Sequence, residues 1–234
     1  MAIAVLPRRD LPGRDLPRRD DEARAHLHEV ARGAAPLVLA RDRSVPVGEG
    51  LAELVPDGVL VRGTVLRVTG RVGAGATSTG FELAAAVTAL GEWVAAVDLD
   101  GTLGPLAAVE AGIVPERFAV VRRVPPARWA TVVAALLDGV SLVLAEVPRG
   151  VKLGDARRLE ARAREREAVL VAVETAGAAW PGNAACTLHA AASTWAAADD
   201  SRLAGILADR RLRVEVEGRG AAARRRAGEL ARAG

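Results

Sequence analysis

Val65–Ser78 reads VLRVTGRVGAGATS: a short, mostly apolar strand-like run, then glycines at 70, 73 and 75, then a segment able to open a helix at Thr77. Strand, glycine loop and helix in that order are the parts of a phosphate-binding loop. Its glycines let successive backbone N–H groups turn inward, and the helix N-terminus behind them supplies positive potential. The full pattern G-x-x-x-x-G-K-[ST] is met at Gly70, Gly75 and Thr77, but Ala76 stands where the lysine belongs. A lysine ammonium reaches the β and γ phosphates and offsets the charge that develops during transfer; a methyl group cannot. Losing one preorganised contact of this kind costs on the order of 2.7–4 kcal/mol of transition-state stabilisation. The reading is therefore a vestigial nucleotide site. ATP hydrolysis and catalytic residues are not expected, no metal or cofactor is assigned, and Thr77 alone leaves residual ATP binding possible in principle but not favoured.

Outward from this loop, apolar runs of strand length alternate with helix-length stretches, the signature of repeated βαβ units and a parallel sheet covered on both faces. The expected order is a helix from about Thr77 to Leu90, a strand at Trp93–Asp98, a short helix near Leu106–Ala111 and a strand at Phe118–Arg122. A helix near Arg128–Asp138, a strand at Val140–Glu146, a helix from Asp155 to Glu167 and a buried strand at Ala168–Val173 follow. The fold class is α/β with a mainly parallel twisted sheet. Residues 174–195, with Gly177, Pro181 and Gly182, read as loop, and the alternation RLRVEVE over Arg211–Glu217 reads as an antiparallel strand at the C-terminal edge. Asp98, Asp100 and Glu146 fall at the carboxyl ends of parallel strands, where α/β sites form. With Ala76 in the loop, the plainer assignment is that the aspartates begin a turn before Gly101 and Glu146 ends a strand before Pro148.

A chain of 234 residues, 50% hydrophobic and 26% charged, can bury one sizeable core. The expected organisation is a disordered leader over 1–20 (the LP-x-RD repeats of PRRDLPGRDLPRRDD), a domain over 21–218 opening with a helix at Asp21–Arg32, and a basic flexible tail over 219–234. His26 and His28 would point roughly 200° apart on that helix and are poor joint metal ligands. One cysteine, Cys186, excludes an internal disulfide and is assigned no chemistry. No apolar run suffices for a membrane span, and MAIAVLPRRD places its apolar stretch before its charges, the reverse of a secretion signal, so a cytoplasmic location is expected. The four tryptophans read as core or boundary residues, with Trp180 the surface candidate. Arginines gather late, at Arg210, Arg211, Arg213, Arg219, Arg224, Arg225 and Arg226. Together with an exposed strand edge, Arg211, Arg213, Arg219 and Arg224–Arg226 are the candidate contacts to a partner. No tyrosine and two phenylalanines argue against a base-stacking platform, so any DNA contact would rest on charge.

With these residues in view, a family resemblance emerges. GLAELVPDGVLVRGTVLRVTG over Gly50–Gly70 is similar to the entry of the RecA core, and VDLDGTLGPLAAVEAGIVPERFAVVR to the unit after it, with Asp100 at the position of the RecA catalytic acid. GAGATS, LLDGV, GDARRLEARARER and VEVEGRGAAARRR, in that order, resemble the RecA-like mutasome accessory family of actinobacteria, the ImuA-prime type. The resemblance implies a RecA-like P-loop fold and a non-catalytic adaptor in DNA-damage-induced mutagenesis. Its partner would be a catalytically inactive Y-family polymerase-like protein in a translesion-synthesis mutasome; RecA or DNA, met through the arginines, are further candidates. The lost lysine and the short, alanine-rich, base-poor stretch Ala178–Ala192 speak against filament formation and strand exchange. Two rival readings have other sources. VGAGATST and VDLDGTLG suggest a ParA/MinD-type positioning ATPase, which needs a loop lysine that Arg71 does not replace. Gly73, Gly75 and Asp98 suggest a dinucleotide-binding Rossmann unit, but Ser78 stands in place of its third glycine.

Overall fold

The computed structural model describes residues 43–175, 177–197, 207–218 and 226–233. The readings of 1–20 and 21–32, with His26 and His28, and the residues Arg219, Arg224 and Arg225 lie outside them. The chain runs β1 (Ser44–Pro46), α1 (Glu49–Ala52), β2 (Val59–Val61), β3 (Val65–Gly70), α2 (Ala76–Ala89), β4 (Val94–Asp98), α3 (Pro105–Glu110) and β5 (Phe118–Arg122). It continues with α4 (Pro126–Leu137), β6 (Leu142–Glu146), α5 (Leu153–Arg166), β7 (Val169–Val173), β8 (Cys186–Ala197), β9 (Leu207–Gly218) and β10 (Arg226–Ala233).

Strands β1 and β2 form a separate antiparallel pair, and the main sheet has the order β10-β9-β8-β3-β7-β6-β4-β5. From β8 through β5 every pairing is parallel, while β8–β9 and β9–β10 are antiparallel. The protein is thus α/β with a mostly parallel mixed sheet and an antiparallel C-terminal edge. No helix among the described residues is long and apolar enough to cross a membrane.

Alternate residues of the parallel strands serve two cores, as the two-residue period of a strand requires. Leu66, Val68, Leu142, Leu144, Val169 and Val171 pack on one face with Phe81, Leu83 and Val87 of α2. Val65, Val143, Ala145, Leu170 and Ala172 pack on the other with Trp129, Val133 and Leu137 of α4 and Leu159 and Ala163 of α5. Burial on both faces is why these strands read as unbroken apolar runs. Gly80 sits where a Cβ would come within 2.7 Å of Leu144, so α2 lies close against the sheet.

The C-terminal third departs from expectation. The stretch read as loop to residue 195 overlaps the twelve-residue strand β8, whose Cys186–Ala190 pair in parallel with Leu66–Gly70. CTLHAAASTWAA has weak intrinsic strand preference, which pairing on both edges overrides. Arg211–Glu217 is not an edge, because β9 is flanked by β8 and β10. The stretch read as tail holds β10 at Arg226–Ala233, in register from Arg226 opposite Val216 to Ala233 opposite Asp209. Trp180 is buried at 4% exposure, edge-on to Trp129 at 6.4 Å; the exposed tryptophans are Trp93 and Trp195.

Candidate functional site

β3 ends at Gly70 and α2 begins at Ala76, so the loop occupies residues 71–75, at the carboxyl end of a central parallel strand. Gly73 (φ 82°) and Gly75 (φ 106°) both adopt left-handed backbone, which a side chain resists. Gly75 is the N-cap of α2 and leaves its first N–H groups without a side-chain cap, while Gly75 O accepts from Thr79 N at 2.8 Å and Thr79 Oγ1 at 3.0 Å. Thr77 is half-buried in the first helical turn, and Arg71 is exposed. Ala76 opens the helix itself.

The sequence reading found no cation for this loop apart from Arg71, yet the fold brings one from β9. Arg210 Nη1 donates to Ser78 Oγ at 2.9 Å, and its Nε donates to Ser193 Oγ of β8 at 2.8 Å. The guanidinium stacks 5.1 Å from the Trp195 ring, and Nη2 lies 3.5 Å from where a Cβ on Gly75 would be. A register shift between Ala190 and Ala192 of β8 turns Ser193 and Trp195 to the same face as Arg210 and Leu212, opposite which they pair. The sequence carried a signal for this. Counting back by twos from Val216, Val214 and Leu212 puts Arg210 on the apolar, inward face of β9.

Asp98 is fully buried. Its Oδ1 accepts from Thr102 N at 2.9 Å and its Oδ2 from Leu103 N at 3.3 Å, with Arg122 Nε also 3.3 Å away. It is the turn-former that the sequence reading preferred. Glu146 is 6% exposed and accepts from Leu99 N at 2.7 Å. Burial, and after it the nearby charges of Asp98 and Asp100, push its carboxyl above the usual carboxylate range. Asp100 is exposed beside them. Because β7 lies between β3 and β6, Glu146 starts two strand spacings, about 10 Å, from the loop strand. The acid nearest the loop strand was overlooked. Glu174, just past β7, is held by Arg67 Nε and Nη2 of β3 at 2.8 and 3.0 Å and accepts from Trp180 N at 2.8 Å. Its signal was the same as that of Glu146, an acid closing an apolar run. Among the described residues no group of three or more His, Cys, Asp or Glu is arranged to hold a metal ion.

Of the arginines proposed for a partner, Arg211 and Arg213 are exposed on the face of β9 opposite Leu212, with Arg213 Nε 3.7 Å from Glu215. Arg226 begins β10. Cys186 is buried, its thiol pushed up to about 11 by desolvation, while His189 faces the other way and pairs through Nδ1 with Thr69 Oγ1 at 2.9 Å. A groove of about 990 Å³ runs between α4 and α5 past Trp129, Lys152 and Arg162, and no residue of the glycine loop lines it.

A strand, a glycine loop and a helix thus follow one another inside the mixed sheet, and residues 53–182, which contain them, match the family described as MT3502 N-terminal domain. The chain belongs to this family. The family match takes in the loop, Asp98, Asp100, Glu146 and Glu174, and stops before β8, so Arg210 and strands β8 to β10 lie beyond it. Among curated proteins none matches the chain.

Proposed function

We propose that this protein is a RecA-like accessory protein that works as a non-hydrolysing adaptor in DNA-damage-induced mutagenesis, where it binds a catalytically inactive Y-family polymerase-like partner. The observation that carries the reading is Ala76, at the head of α2 in an otherwise preserved strand–loop–helix frame. A cradle of this shape without its lysine is kept for architecture and not for turnover. The mainly parallel sheet with an antiparallel C-terminal edge agrees with what the resemblance to RecA implies. The partner surface in this reading is the C-terminal segment. Arg211 and Arg213 line one face of β9, and β10 offers a sheet edge to which an extended segment can add.

Two experiments test the two halves. Purified protein incubated with Mg-ATP is expected to release no phosphate; sustained turnover that Thr77→Ala abolishes overturns the adaptor. Capture of the polymerase-like partner is expected to fall on paired Arg211→Glu and Arg213→Glu substitution, and undiminished capture removes these arginines from the interface.

One observation favours a second reading, in which the loop still holds an anion without turning it over: the Arg210 guanidinium stands at the first turn of α2, where Ala76 supplies no charge. Heat on calorimetric titration with ATP, lost in Arg210→Gln and unaccompanied by phosphate release, supports it.

A further inference from the structure

Two contacts join the glycine loop and the start of α2 to β9, and others continue from β9 to β10 and α1. Leu212 of β9, fully buried, covers Gly75 so closely that a Cβ there would lie 2.5 Å from Leu212 Cδ2. Arg210, two residues earlier on the same face, bonds Ser78 in the first turn of α2. Leu212 in turn stands opposite Leu230 of β10, also buried, whose Cδ2 lies 2.9 Å from where a Cβ on Gly50 of α1 would be. A Cβ on Gly228 of β10 would lie at the same distance from Leu54 Cδ2. An unbroken line of apolar contact thus runs from the loop through β9 to β10 and the segment that opens with α1.

The polar contact in this line has an unusual character. A helix N-terminus carries positive potential, so a guanidinium beside it is placed against the field. Ser78, Ser193 and Trp195 hold it there through two hydrogen bonds and a stacked ring. The serine bonds and the Leu212 packing offset the unfavourable field while the loop keeps its present shape. Were Gly75 to move away from Leu212, that packing would be lost and the field would favour release of the cation from Ser78. Contacts of this kind are made together or lost together.

We propose that Arg210 and Leu212 form a latch between the glycine loop and the C-terminal strands, so that the loop and β10 open as one unit and the state of the loop is felt at the outer edge of the sheet. β10 is the edge assigned above to a partner, but the latch is a property of the free chain and is tested without one.

Hydrogen–deuterium exchange on the full chain reads it directly. Loss of a charged hydrogen bond that gates local opening is expected to raise exchange about tenfold. Arg210→Gln is expected to do so over both 71–80 and 226–233. Ser78→Ala, which leaves Arg210 and the strands untouched, is expected to raise exchange in the same two segments. Arg210→Lys, whose single ammonium cannot span both serines, is expected to fall between wild type and Arg210→Gln. Faster exchange confined to residues 207–213, or a loop that quickens while 226–233 keeps its wild-type rate in both Arg210→Gln and Ser78→Ala, overturns the latch. Failure of partner capture with the latch intact counts against the adaptor alone.

Discussion

Gly75→Ala separates a loop held by its own sequence from one held by the fold. At φ 106° the residue lies in left-handed space, which costs an L side chain about 1–2 kcal/mol. The new methyl would also sit 2.5 Å from Leu212 Cδ2, at a side chain with no exposed surface to retreat into. Overpacking of this kind costs about 1–3 kcal/mol, so the total is roughly 2–5 kcal/mol. With a urea slope of about 2 kcal/mol/M, the unfolding midpoint should fall by roughly 1–2.5 M. Gly73→Ala is the control. Its φ of 82° carries the same kind of backbone strain, but nothing lies within 4 Å of its Cβ position, so only the conformational cost of about 1–2 kcal/mol is expected. Leu212→Ala alone should cost about 2–5 kcal/mol for the cavity it leaves. Combined with Gly75→Ala it should cost less than the sum by about 1–3 kcal/mol, because the truncated side chain no longer meets the methyl. A Gly75→Ala protein within about 0.5 kcal/mol of wild type, or strictly additive single losses, would refute the packing of β9 against the loop.

Further expectations concern the loop, the acids and the cysteine. Ala76→Lys supplies the ammonium that the proposed phosphate cradle lacks and is expected to give calorimetric ATP binding stronger than that of wild type; no gain counts against a phosphate cradle. Glu146 has its carboxyl pushed above the ordinary range by burial, so the folded state holds that proton more tightly than the unfolded chain does. The associated stability is present at acidic pH and is lost as pH rises from the ordinary glutamate value through the raised one. Glu146→Gln, which carries no charge at any pH, should therefore match wild type near about pH 4 and melt higher by a few degrees at about pH 7 to 8; a gap that widens on acidification contradicts the sign. Cys186, with its thiol near 11, is expected to be thiolate in only about one molecule in a thousand at pH 8. An aromatic disulfide reagent should label it only at the rate of unfolding, and immediate stoichiometric labelling of the native protein contradicts its burial.

The sequence by itself determined the parts of this protein that depend on near neighbours along the chain. A strand, glycine loop and helix start span fourteen residues, and an apolar run of five with a helix-length segment after it is a local pattern. β3 to β7 and the helices between them were therefore legible from residues 65–173, Phe118–Arg122 to the residue. So was the turn role of Asp98, which bonds four and five residues ahead. What only the tertiary structure decided depends on partners far apart in the chain. β8 is a strand because β3 and β9 pair with it on either side, against its alanine-rich composition. β10 is a strand and not a tail because β9 leaves it an edge with Leu212 to cover. Trp180 goes inside because Trp129, 51 residues earlier, leaves room at its ring edge. Arg210 reaches Ser78 across 132 residues of sequence, which parity along β9 could hint at but only the register of three strands could direct. Packing energy is collected between surfaces, and which surfaces meet is settled by the fold as a whole.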